Sequence, residues 1–235
     1  MTRDLLERVL AEIAAKRPVV VATDLASGEA RLLHPFEPAP GVDPAVAAAA
    51  REAAVRDEST KLERTGGDVF LRVFNPPVQV IVIGAVHIAQ PLTRMVQLAG
   101  YEPVVVDPRR AFATAARFEG VPLVCEWPDE ALAKMQLGRR SAVITMTHDP
   151  KIDDPALVVA LRSEAFYVGS LGSKKTQAAR RERLRAQGFS DADLARIHGP
   201  VGLPIGARSP GEIAVSILSQ LVQALRAPAS GASAA

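Results

Sequence analysis

The run VQVIVIGAVHIAQ, Val78 to Gln90, constrains the fold more than any other stretch: an apolar strand reaches a glycine and passes into a helix. A strand apolar on both faces belongs in a parallel sheet covered on both sides. A glycine at its carboxyl end sits where a dinucleotide fold places the turn G-x-G-x-x-G. Here the turn reads Gly84-Ala85-Val86-His87-Ile88-Ala89. Gly84 supplies the tight bend, and Ala89 stands where close helix–strand packing needs only a small residue. Val86 replaces the glycine that lets a pyrophosphate approach the backbone. Its branched side chain is expected to block that approach or push a ligand outward. The turn therefore reads either as an altered pocket or as a purely structural connection.

The pattern after this run is an alternation of strands and helices. A helix over Ala89–Ala99 leads to the strand EPVVVD. A helix through AFATAARF leads to the short strand PLVCE. The strand SAVITMT precedes a helix PALVVALRS, with Asp153 and Asp154 before Pro155 as its expected caps. The strand AFYVGSL runs into a basic helix from Ser173. A last helix spans Ser209 to about Arg226 and opens on a capping box of Ser209, Pro210 and Glu212. Such alternation predicts an α/β fold: a Rossmann-like, doubly wound, mostly parallel sheet.

A smaller α+β unit precedes it. Leu5, Leu6, Val9, Leu10 and Ile13 recur at helical spacing. VVVAT and ARLLH flank the turn SGEA, an Ala-rich helix starts at Asp43-Pro44, and TKLER and VFLRVF form a hairpin. Asn75-Pro76-Pro77 is the expected boundary, because two prolines stiffen a short link. The expected division is 1–75 for the small domain, 78–227 for the Rossmann-like domain and 228–235 for a disordered Ala/Ser/Gly tail.

Composition excludes several classes. A net charge of +2 over 235 residues does not by itself point to nucleic acid. The single cysteine, Cys125, excludes an internal disulfide and a Cys-rich zinc site, and its apolar strand predicts a buried, inert thiol. The first residues alternate charge with apolar side chains, unlike a signal peptide, and no stretch approaches about 20 apolar residues. A cytoplasmic protein with no membrane partner is expected.

Ligands of a parallel sheet bind at the carboxyl ends of its strands, and four such ends carry polar residues. Gly84 and His87 follow the first strand. Asp107 lies 23 residues after Gly84, near the spacing of a ribose-binding carboxylate, and Arg109 and Arg110 follow it. The alternative for Asp107 is a turn residue before Pro108. Thr147, His148 and Asp149 end the next strand and suit ligand contact, acid–base chemistry or a structural turn. Gly169, Ser170, Gly172, Ser173 and Lys174 lead into a helix. Its free amides, its dipole and the ammoniums of Lys174 and Lys175 suit an anion. The alternative is a solvated basic face, since Arg180, Arg181, Arg183 and Arg185 face only Glu182. His198 and Gly202 lie in a Gly/Pro-rich loop that suits a pocket wall.

Together IGAVHIAQPL, VVVDPR, TMTHD, YVGSLGSKKT, RRERL and IHGPVGLPIGARSPGEIAVSIL resemble the carboxyl domain of the XdhC/CoxI family, over about Val78 to Val222. Members of that family are accessory proteins of molybdenum hydroxylases such as xanthine dehydrogenase and carbon monoxide dehydrogenase. The resemblance implies a Rossmann-type domain, often in a homodimer. It implies binding of the molybdenum cofactor (molybdopterin), delivery to an apo molybdenum hydroxylase and contact with a cysteine desulfurase. It also implies a chaperone rather than a catalyst with turnover. Direct metal ligands stay unknown. Two features depart from the family pattern. Val86 and Ala89 replace glycines of the turn, and Gly66-Gly67 is followed by Asp68 where a cysteine usually stands. The rival readings are an NAD(P)-dependent oxidoreductase, disfavoured by Val86, and a ligand-free regulatory scaffold.

Overall fold

In a computed structural model the described residues are 2–227, so the expected tail at 228–235 lies outside them. Two compact units divide the chain, Met1–Pro76 and Pro77–Ala227.

The first unit is built on a four-stranded antiparallel sheet of β1 (Val19–Asp24), β2 (Ala30–Leu33), β3 (Thr60–Leu62) and β4 (Val69–Phe74), in the order β2-β1-β4-β3. Successive side chains of β1 point to opposite faces. Val19 and Val21 meet Leu5 and Val9 of α1 (Arg3–Ala14). Val20 and Ala22 meet Val46, Ala50 and Ala54 of α2 (Pro44–Arg56), which Asp43 caps.

The second unit carries a six-stranded sheet of β5 (Gln79–Ile83), β6 (Glu102–Val106), β7 (Leu123–Val124), β8 (Ser141–Thr145), β9 (Tyr167–Ser170) and β10 (Ile197–His198). The order is β10-β9-β8-β5-β6-β7 and every pairing is parallel. Counted within this unit, that is 3-2-1-4-5-6, the order of a Rossmann sheet, with its direction reversing between β5 and β8. The sheet is wound on both faces. On one, α3 (Ala89–Leu98) and α8 (Pro210–Arg226) press Leu92, Val96, Ile217 and Leu221 onto Val80, Val82, Val105 and Ile144. On the other, α4 (Pro128–Lys134), α5 (Pro150–Arg162), α6 (Lys174–Arg185) and α7 (Asp191–Ala195) cover Ile81, Ile83, Val104, Val106 and Val143. Aliphatic strands with both faces buried are what the sequence pattern demands.

Two local expectations are overturned. Residues 111–118 form successive turns rather than a helix, closed by amides such as Phe112 onto Arg109 and Phe118 onto Thr114. The helix before Leu157 starts earlier than Pro155. Asp149 caps the Lys151 amide and Pro150 takes the first helical position, where a proline loses no hydrogen bond. Asp153 and Asp154 thus lie inside α5 and are buried. Among the described residues no helix is long and apolar enough to cross a membrane.

Candidate functional site

The reversal of strand order opens a crevice at the carboxyl ends of β5 and β8. Gly84 turns there at φ +108°, a conformation that L side chains rarely adopt. A Cβ at Gly84 would lie 2.6 Å from Thr147 Cγ2, so the turns after β5 and β8 approach as closely as a glycine permits.

Asp107, at the end of β6, is fully buried, and its carboxylate is spent inside the fold. Oδ2 accepts the Ala85 amide at 2.8 Å and Arg109 Nη2 at 2.8 Å, while Oδ1 accepts Arg109 Nε and the Arg109 amide, both at 2.9 Å. Burial opposes ionisation, but the Arg109 guanidinium and the two amides outweigh it and hold the carboxyl below its ordinary range. These four donors favour the alternative reading of Asp107, a residue that locks the first turn, over the ribose role. Val86 is half-buried and packs against the α3–α8 side of the core. His87 beside it is exposed.

The loop after β8 is organised by a residue from the helix that follows. Asp153 Oδ1 accepts the Thr147 amide at 3.2 Å and the Thr147 hydroxyl at 2.7 Å, and Oδ2 accepts the His148 amide at 3.1 Å. His148 is held at φ +63°, which for a non-glycine residue costs about 1–3 kcal/mol, and its side chain is exposed. Asp149 caps α5 and is half-buried.

From the loop after β9 a buried cation reaches the same aspartate. Arg180 of α6 is 1% exposed; its Nη2 donates to Asp153 Oδ2 at 3.1 Å. Its Nη1 donates to Gln177 Oε1 at 2.9 Å and to Leu171 O at 3.3 Å. Gln177 Nε2 in turn donates to Ser170 O at 2.9 Å. Asp154 accepts Arg183 Nη2 at 3.0 Å. The basic helix is therefore not wholly a solvated face. Gln177, Arg180 and Leu184 form its buried stripe. Ser170 is buried, its hydroxyl 2.8 Å from that of Thr145. Gly169 is buried as well, and its missing Cβ leaves room for Val201 and the Tyr167 ring. At the surface are Gly172, Ser173 and Lys174. Ser173 caps the Thr176 amide, and the side chains of Lys174 and Lys175 are exposed.

His198, at the end of β10, is half-buried and stacks on Tyr167, with ring centroids 4.7 Å apart and planes at 18°. Burial lowers its pKa. Gly199 precedes a cis proline and lies directly against the Gln177 side chain. Gly202 is fixed from α8: Gln220 Oε1 accepts its amide at 2.8 Å and the Tyr167 hydroxyl at 2.6 Å.

The sequence-derived set thus divides by exposure. His87, Thr147, His148, Asp149, Gly172, Ser173 and Lys174 are at least partly exposed and follow carboxyl ends of strands; Asp107, Gly169 and Ser170 are internal. Beside the exposed set stand Arg110 after β6, Lys151 after β8, and Lys174 and Lys175 after β9. All four are exposed and form no ion pair among the described residues. In the first turn of α6, Lys174 and Lys175 join amides that no helical carbonyl can accept, an arrangement that attracts anions. Cys125, expected buried, is exposed, because β7 ends at Val124 and the thiol falls just past the sheet edge. Among the described residues no three His, Cys, Asp or Glu side chains are grouped to hold a metal ion. Sequence reasoning passed over Arg180, Gln177 and Gln220. The spacing of Gln177, Arg180 and Leu184 at i, i+3 and i+7 was the available signal for the first two.

This chain is similar to known proteins. A family profile described as the XdhC Rossmann domain matches residues 80–221. A probable xanthine dehydrogenase subunit from Bacillus subtilis (strain 168) is 29% identical over 157 residues, covering 66% of this chain and 46% of that protein. The molybdenum cofactor insertion chaperone PaoD of Escherichia coli (strain K12) is 28% identical over 148 residues, covering 63% of this chain and 40% of that one. This chain therefore spans less than half the length of the curated relatives it matches. Among solved structures, a xanthine dehydrogenase from Bacillus halodurans superposes with a TM-score of 0.68 at 26% identity, over 98% of this chain and 66% of that one.

Proposed function

The chain belongs to the XdhC family through its Rossmann domain, and from that premise we propose that it binds the molybdenum cofactor and delivers it to an apo molybdenum hydroxylase. The names of two relatives support this reading, one a cofactor insertion chaperone, the other a probable xanthine dehydrogenase subunit. The observation that carries it is the run of exposed cations after β6, β8 and β9, Arg110, Lys151, Lys174 and Lys175, which form no ion pair among the described residues. Such an edge suits an extended anionic ligand.

The residues present fit the cofactor's organic part. Bound, the cofactor supplies a phosphate and a polar pterin ring, with its redox chemistry reserved for the acceptor enzyme. Gly172, Ser173, Lys174 and Lys175 would hold the phosphate at the first turn of α6. Thr147, His148 and His87 would line the ring. In this reading the protein grips and releases rather than turns over, and a second copy of the chain and a cysteine desulfurase are its further partners.

The nicotinamide reading loses its ribose acceptor, because both oxygens of Asp107 are engaged by Arg109 and Ala85. A thermal-shift comparison of NADH, NADPH and isolated molybdenum cofactor separates the readings. Stabilisation by the molybdenum cofactor alone is expected. Stabilisation by a nicotinamide nucleotide alone favours the oxidoreductase, and no shift with any of the three favours a ligand-free scaffold.

A further inference from the structure

The two loops assigned to the ligand are tied to each other beneath the surface. From Thr147 and His148 the contacts run through Asp153 to Arg180, which reaches Leu171 directly and Ser170 through Gln177. Every member of the inner stretch is buried: Asp153 0%, Arg180 1% and Gln177 6% exposed. The far end abuts Gly199, where a Cβ would come within 2.5 Å of Gln177 Oε1, so the loop after β10 rests on the same side chain.

A buried ion pair is a poor way to gain stability, since a well-packed apolar pair often does as well or better. What an apolar pair cannot do is accept two loop amides and a hydroxyl on one side while donating to a loop carbonyl on the other. Asp153 does the first and Arg180 the second. His148 also needs such support, because its left-handed backbone is unfavourable for a residue with a Cβ. We infer that Asp153 and Arg180 are positioning residues, which set the loops after β8 and β9 as one unit and so fix the spacing between His148 and the first turn of α6. Neither faces the ligand. The proposal rests on the reading of these loops as the ligand edge.

Hydrogen–deuterium exchange of the full chain without ligand tests it, read at 147–149 and 171–173 beside the melting temperature. Asp153→Asn places an amide nitrogen against either the Thr147 amide or the His148 and Arg180 donors, and both loops should exchange about tenfold faster. If that variant fails to fold, the pair Asp153→Asn and Arg180→Met leaves no unpaired buried charge. In the double variant the melting temperature should return close to that of the parent while both loops stay unprotected. Recovery of loop protection together with the melting temperature would show a purely structural pair and overturn the proposal. So would loosening confined to one loop. The exchange is read without ligand, so a chain that shows coupled loops but is not stabilised by molybdenum cofactor fails the functional reading alone.

Discussion

The carboxylate of Asp107 accepts the amide of Ala85 at 2.8 Å, and so fastens the end of β6 to the turn that leaves β5. The partners are 22 residues apart in the chain and adjacent at the crevice. Replacing Asp107 by Ala leaves the Ala85 amide without an acceptor in a buried place, and should cost about 1–3 kcal/mol in urea unfolding. The effect has a pH signature. Hydrogen bonds from Arg109 and Ala85 outweigh burial and hold the Asp107 carboxyl below its ordinary value of 3.8. The folded state therefore binds its proton later than the unfolded chain does on acidification. The contribution is complete above that value and disappears as pH falls through the lower, folded one. The stability gap between parent and variant should be constant from pH 7 to about 5 and close below about 3.8. A gap that persists unchanged at the acid end would contradict the assignment.

Gly84→Ala strains the same turn from the other side. The residue sits at φ +108°, and the added Cβ meets Thr147 Cγ2 at 2.6 Å. A left-handed penalty and a clash together should destabilise by about 2–4 kcal/mol. Gly100→Ala is a control for backbone strain alone, because Gly100 has φ +78° but nothing within 4 Å of the new Cβ. Equal losses in the two variants would mean that β5 and β8 are not in contact at Thr147.

His198 stacks on Tyr167 and is half-buried, which lowers its pKa from 6.5. Between the folded pKa and 6.5 the unfolded chain binds more protons than the native one, so stability falls as pH drops through 6.5. His198→Phe keeps the stack and removes the titration. Melting temperatures of parent and variant should diverge between pH 7.5 and about 5.5, the parent losing more. Parallel curves would place His198 in water.

Cys125 should react as an exposed thiol. One equivalent per chain is expected to modify with a water-soluble disulfide reagent under native conditions, at a rate close to that in denaturant. A native rate slower by orders of magnitude would restore the buried thiol that the apolar run PLVCE suggests.

The parallel sheet and its winding on both faces were legible because they follow from periodicity. VQVIVIG, EPVVVD and SAVITMT are apolar on both faces, and parallel sheets are the setting for such strands. The turn residues at Gly84 and the cap at Ser209 were legible for the same local reason. The division of polar residues into ligand-facing and internal was not. Asp107 is an acidic residue at the right distance from Gly84, and only the folded chain shows Arg109 and Ala85 occupying it. Arg180 lies among arginines that otherwise read as one basic surface, and its partner Asp153 comes from another helix, 27 residues earlier. Long-range pairing between charges leaves no local pattern. The turns at 111–118 failed for a related reason: AFATAARF has helical composition, but it buries only Ala113 and Phe118 rather than a full helical stripe, and propensity over eight residues does not hold a helix.

Ser173→Asp probes the anion site without disturbing the helix that forms it. Ser173 Oγ accepts the Thr176 amide at 3.2 Å as the cap of α6, and an aspartate carboxylate caps equally well. The fold should therefore melt within about 2 °C of the parent. The new charge, however, lies in the turn that is assigned to the phosphate, beside the Lys174 and Lys175 amides. Repulsion there should weaken molybdenum cofactor binding about tenfold or more. Lys174→Glu reverses a charge in the same turn and should act in the same direction. Arg226→Glu, at the last residue of α8, changes net charge equally away from the edge. A similar loss of affinity in all three variants would show only that the whole chain attracts an anion. Full affinity in Ser173→Asp would remove the phosphate from α6, even if the cofactor still bound elsewhere on the sheet edge.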